Sequence, residues 1–154
     1  MLFIIFYHLL YLFTYVALLI AYVAGNSPPW LIGNQQPFFC VLAGGLGGSM
    51  YCLRAIYLHV SVKKDWDSAY RPWYFLRPIV SLCSGLVSFI FLKAGLMVLD
   101  SELHQEANFW GFYALAFIAG LNVDKFIEKI EEIAHATWGI ARSRTSDKNN
   151  ERKE

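Results

Sequence analysis

The sequence predicts an all-α polytopic membrane protein with four transmembrane helices, the fourth extending into a cytosolic amphipathic helix. Three observations predict it. Hydrophobic residues make up 56% and charged residues only 16% of the 154-residue chain, whereas an average soluble domain is about a quarter charged. The apolar residues gather into four long runs joined by short polar loops. Every Lys and Arg outside those runs falls on one side of the resulting topology.

A helix needs about 20 apolar residues to cross the roughly 30 Å hydrocarbon layer. The first run covers residues 1–24. No Lys or Arg precedes Arg54, so the run lacks the basic start of a secretory signal and reads as an uncleaved anchor. The second run, 38–60, is interrupted by Arg54, and the third, 78–99, by Lys93. Pro78 suits a first helical turn, where its missing N–H costs nothing. The fourth run, 107–123, is short but continues into a helical pattern. Lipid offers no partner to exposed backbone polar groups, so each run must be helical.

Loop charge sets the orientation. Residues 25–37 carry no charge, and residues 100–106 carry only Asp100, Glu102 and Glu106. Residues 61–77 carry Lys63, Lys64, Arg71 and Arg77, and the tail carries the remaining bases. Both termini are therefore expected in the cytoplasm. Trp66, Tyr70, Trp73 and Tyr74 fall at the expected inner boundary, and Trp30, Phe38, Phe39 and Trp110 near the outer one, where amphipathic rings are favoured.

Three segments follow: a transmembrane domain over 1–123, a cytosolic amphipathic helix over 124–141, and a charged tail over 142–154 expected to be disordered. Val123, Phe126, Ile130, Ile133, Thr137 and Ile140 fit alternating a and d positions. Ile127, Ala134 and Ala141 widen that stripe. Between Asp124 and His135 the polar face holds four acids and two bases. A helix lying on anionic lipid would carry Lys and Arg there, so the pattern favours helix–helix packing.

The run Gly44-Gly45-Leu46-Gly47-Gly48-Ser49 contains a GxxxG pair, and small residues let membrane helices approach closely. Ser81, Gly85, Ser88 and Gly95 recur at helical spacing in span three, and Ala116, Ala119 and Gly120 in span four. All are expected at helix contacts, within one chain or between copies. A bent or pore-lining second span is the functional alternative. Arg54 and Lys93, near opposite ends of their spans, suit snorkelling anchors, or charged rings at the mouths of an oligomeric pore. Lys63, Lys64, Trp66, Arg71 and Trp73 form a basic, aromatic inner loop suited to anionic lipid or to docking a cytosolic partner. Phe126, Ile130 and Ile133 of the tail helix are candidates for the same docking.

No chemistry is legible. Cys40, Cys52 and Cys83 sit in apolar stretches with no ligand spacing, and His8, His59, His104 and His135 are dispersed. No cofactor, metal or nucleic acid is expected, and no Ser or Cys has a recognisable base nearby.

The Gly44–Gly48 string followed by Arg54 is similar to the opening pattern of four-span fluoride channels, although the other motifs of that family are absent. A broader pattern resembles uncharacterised bacterial four-span inner-membrane modules. It comprises the same string, Trp73-Tyr74-Phe75-Leu76-Arg77-Pro78 leading to Gly85 and Ala94-Gly95-Leu96, and residues 114–121 before the tail helix. That resemblance implies the fold and a bacterial inner membrane, and no reaction. Small four-span proteins of this size and topology also serve as membrane subunits of anti-phage defence systems such as Kiwa. The expected function is a non-enzymatic scaffold or sensor that homo-oligomerises in the bilayer and recruits a cytosolic protein. The alternative is an ion channel or membrane-permeabilising effector.

Overall fold

The computed structural model describes residues 2–26, 28–31, 33–96 and 108–141, and no strand occurs among them. Five helices follow in order: α1 (Leu2–Val23), α2 (Gln35–Tyr57), α3 (Arg71–Lys93), α4 (Asn108–Leu121) and α5 (Val123–Trp138). A π-helical turn, Leu58–Val62, extends α2. The expected outer loop with Asp100, Glu102, His104 and Glu106, and the tail from Arg142, lie outside the described residues.

Three helical stretches are long and apolar enough to cross a membrane: Leu2–Val23, Gln35–Val62 and Arg71–Lys93. At 1.5 Å per residue they reach about 33, 42 and 35 Å. Helix α4 has 14 residues and reaches about 21 Å, short of the roughly 30 Å layer.

Two sequence expectations change. Pro78 does not open the third span, because α3 begins a full two turns earlier at Arg71 with Pro72 in its first turn. Pro78 lies inside the helix and is fully buried. It has no N–H to give the Tyr74 carbonyl one turn back, and the buried His8 ring of α1 approaches that carbonyl. The fourth span and the tail helix are also not one continuous rod. Asn122 leaves the helical region (φ −123°, ψ 57°), and α5 restarts at Val123. Gly139, left-handed at φ 67°, closes α5 by donating its N–H to the His135 carbonyl at 3.0 Å, a conformation that glycine adopts without Cβ strain.

Helix α2 lies at the centre, packed on α3 and α4, which also pack on each other. Its glycines make this possible. A Cβ on Gly44 would come within 2.8 Å of the Gly85 Cα, and one on Gly120 within 2.7 Å of the Gly44 Cα. A Cβ on Gly47 would sit 2.8 Å from the Leu121 nitrogen, and one on Gly48 would run into the Ser81 side chain. Bare backbones therefore touch, and the attraction between them is close dispersion contact. Ser81 Oγ donates to the Gly120 carbonyl at 3.0 Å across this seam, and Ser88 Oγ donates to Gly85 within its own helix at 2.8 Å.

Helix α1 packs on the outside of this trio. Tyr15 fills the notch at Gly45, Tyr7 Oη donates to the Phe75 carbonyl at 3.3 Å, and Tyr22 Oη donates to Gln35 at 2.8 Å. Its other faces present Phe3, Phe6, Leu10 and Phe13 outward, the arrangement expected of a helix facing lipid.

Candidate functional site

The candidate site forms where α2 ends and α3 begins. The α-helical ladder of α2 gives way to the π turn, in which the Lys63 N–H reaches back to the Leu58 carbonyl at 2.8 Å. π turns concentrate at functional sites. Lys64 then takes a left-handed conformation, φ 55°, that few non-glycine residues adopt. This reversal aims the next residue back at the helix. The Asp65 N–H donates to the His59 carbonyl at 3.1 Å, and the Asp65 carboxylate meets His59 Nδ1 at 2.8 Å. That hydrogen bond holds the exposed Asp65 carboxyl below the usual carboxylate range. Asp67 Oδ1 accepts the Ala69 N–H at 2.9 Å, an Asx turn that leads into α3.

This loop closes over a cavity of about 550 Å³, within the size range of small-molecule sites. Tyr51, Trp66, Tyr70, Trp73 and Tyr74 supply its rings, and His59, Asp65 and Asp67 its polar wall. Trp66 stacks on Tyr74 with centroids 5.3 Å apart. Trp73 meets Tyr74 edge-on at 5.0 Å and Tyr51 at 5.9 Å. Among the described residues no Lys or Arg lines the cavity.

Behind the rings lies Arg77, only 5% exposed. Its guanidinium sits 4.9 Å from the Tyr51 ring centroid and 5.4 Å from that of Trp73. Arg77 Nη1 also donates to Asp124 Oδ2 at 3.0 Å. The aromatic wall is thus tied to the first turn of α5.

The expected docking residues divide around this site. Trp66 and Trp73 line the cavity, while Lys63, Lys64 and Arg71 are exposed beside it in the chain. Phe126 is buried, and Ile130 and Ile133 are half-buried on α5. Arg54 is exposed in the last turn of α2, and Lys93 is exposed as the last residue of α3. Gly95 lies past the end of α3 at φ 71°, and no described residue beyond its chain neighbours comes within 4 Å of where its Cβ would be.

Arg77, Asp124, Tyr51 and His59 were not legible as site residues. Arg77 read as one more loop base because α3 was expected to start at Pro78. With the start at Arg71, Trp73 and Arg77 are one helical turn apart, the spacing at which side chains meet.

Two other features complete the interior. His8, Tyr15 and Ser49 are buried in the spans, and their polar side-chain atoms meet no partner at hydrogen-bond geometry among the described residues. A second cavity, about 420 Å³ and almost wholly apolar, opens between α1, α2 and α4, with Leu19, Phe39, Leu46, Trp110 and Tyr113 on its walls.

No family model, curated protein or solved structure matches this chain.

Proposed function

We propose that the protein is a non-enzymatic integral membrane scaffold or sensor subunit of a bacterial inner membrane. It crosses the bilayer four times with both termini cytoplasmic, self-associates, and recruits a cytosolic protein through the α2–α3 loop and α5.

The observation that carries the reading is how α5 is held. Val123 and Phe126 are buried and Asp124 binds Arg77, so the first turns are fixed to the membrane body. Beyond them the apolar stripe is only partly covered: Ile130 and Ile133 are half-buried, and Ile127 and Trp138 are exposed. A rigidly based amphipathic helix with a partly open stripe is suited to joining other helices. The glycine faces of α2, α3 and α4 are filled within one chain, so self-association falls to α5 and the outward face of α1 rather than to those glycines.

Native mass spectrometry of the full chain, gently extracted from its own host, tests this. A defined homo-oligomer with a stoichiometric cytosolic protein is expected, and removing residues 124–154 should release that protein. Unchanged recruitment without the tail would sink the reading. A homo-oligomer alone would favour the channel alternative, which predicts liposome ion flux that changes when Arg54 or Lys93 is replaced.

A further inference from the structure

We propose that the cavity between the end of α2 and the start of α3 binds an organic ammonium group, as carried by the headgroup of a zwitterionic phospholipid or by a free alkylammonium. The aromatic rings and two carboxylates around it provide the recognition.

The chemistry of the wall points to a cation. Aromatic faces carry negative potential and attract ammonium groups within about 6 Å of the ring centroid, and cages of such rings recognise quaternary ammonium. Five rings line the cavity, together with Asp65 and Asp67. The Arg77 guanidinium already rests on Tyr51 and Trp73, which leaves Trp66, Tyr70 and Tyr74, with the two carboxylates, to receive the ammonium. His59, the one basic group of the wall among the described residues, is hydrogen-bonded to Asp65.

The backbone around the cavity is irregular in a way that supports a binding role. The π turn and the left-handed Lys64 are two departures from regular structure within seven residues, 58–64. Together they place His59 and Asp65 at the cavity edge. Left-handed backbone at a non-glycine residue is strained, and such strain clusters at ligand-binding segments.

The position suits a lipid headgroup. The cavity lies between the ends of two helices long enough to span, and the ends of spanning helices are where aromatic belts meet headgroups. Exposed Lys63, Lys64 and Arg71 flank the cavity residues in sequence. A zwitterionic headgroup pairs an ammonium with a phosphate, so the rings and carboxylates would take the first and the flanking bases the second.

The test uses full-length protein in which Trp30, Trp110 and Trp138 are replaced by Phe, leaving Trp66 and Trp73 as fluorescent reporters. In detergent it is titrated with choline chloride against sodium chloride at equal ionic strength. In parallel it is placed in nanodiscs of phosphatidylglycerol with and without phosphatidylethanolamine. A saturable change with choline and none with sodium is expected, its half-saturation raised about tenfold by Tyr70→Leu combined with Asp65→Asn. Both substitutions are at exposed side chains and leave the reporters in place. A response to phosphatidylethanolamine but not to choline, lost in the same variant, also supports the proposal and identifies the lipid as the source. No response in either arm, or one unchanged in the variant, overturns it.

Discussion

Arg77 and Asp124 join helix α3 to the start of α5 through a 3.0 Å hydrogen-bonded ion pair, and its two ends differ sharply in environment. The Arg77 side chain is 5% exposed and the Asp124 side chain 77%. The buried member is also held by Tyr51 and Trp73, so the pair is an anchor sunk in the membrane body with one solvated end. Replacing Arg77 removes the buried guanidinium and its ring contacts together, whereas an asparagine at the exposed Asp124 position keeps an oxygen that accepts from Arg77 and loses only a solvent-screened charge.

That asymmetry makes a directional prediction. Arg77→Ala should destabilise the protein by about 2–4 kcal/mol, since it removes the ion pair and the ring contacts together. Asp124→Asn should cost only about 1 kcal/mol. Arg77→Lys should not rescue, because an ammonium lacks the planar face that stacks on rings. Thermal unfolding in detergent measures all three, and equal losses for Arg77→Ala and Asp124→Asn would show that the rings contribute nothing.

The glycine seam gives a second prediction. Gly44→Ala and Gly120→Ala each set a methyl against backbone atoms that cannot rotate away. Each should cost about 1–3 kcal/mol by overpacking, while Ala114→Val, on an exposed position of α4, should be near neutral. A tolerated Gly44→Ala would mean that α2 and α3 are packed less closely than the Gly44–Gly85 contact requires.

Much of the seam was legible because helical spacing and residue size are local properties. Gly44, Gly48, Ser81, Gly85 and Gly120 stand out by their intervals alone. What spacing does not encode is whether a small-residue face meets its own chain or another copy, and here it meets its own. The loop site was less legible. Trp66 and Trp73 read as interfacial aromatics, but the π turn and the Lys64 reversal arise from how α2 and α3 must be joined, so no pattern in residues 58–67 announces the His59–Asp65 pair. Arg77 escaped because Pro78 masked the true start of α3. Pro72 supplies the first-turn proline instead, and Pro78 is tolerated inside the helix.

The reversal at Lys64 makes a third prediction. Lys64→Gly should be neutral or stabilising by up to about 1 kcal/mol, because glycine enters the left-handed region freely while losing more chain entropy. Lys64→Val should destabilise the loop, since a β-branched residue resists that conformation. Fluorescence of Trp66, two residues on, reports the difference. Equal behaviour of the two variants would refute the left-handed backbone.

Acid should act through Asp65. Its carboxyl is held below the usual range chiefly by the His59 hydrogen bond, so the native state favours the ionised form. That contribution is complete above the ordinary carboxylate range and is lost as pH falls through the lowered native value. Acid titration of Trp66 fluorescence should therefore show the loop stable to below the ordinary range, with a transition that Asp65→Asn removes. A transition persisting in Asp65→Asn would assign it to another group.

The partly open stripe of α5 separates folding from association. Val123 and Phe126 are buried against the membrane body, so Phe126→Ala should lower thermal stability by about 3 kcal/mol, as loss of a core aromatic does. Ile127 is 45% exposed and contributes little to that packing, so Ile127→Glu should leave stability within about 0.5 kcal/mol. If copies join through the stripe, the same change buries a charge in the contact and should shift the assembly toward monomer. Light scattering with size-exclusion chromatography, run beside thermal unfolding, reads the two effects separately. An Ile127→Glu protein that unfolds normally and stays oligomeric would move the contact to the outward face of α1, where Phe6 and Phe13 become the next substitutions to make.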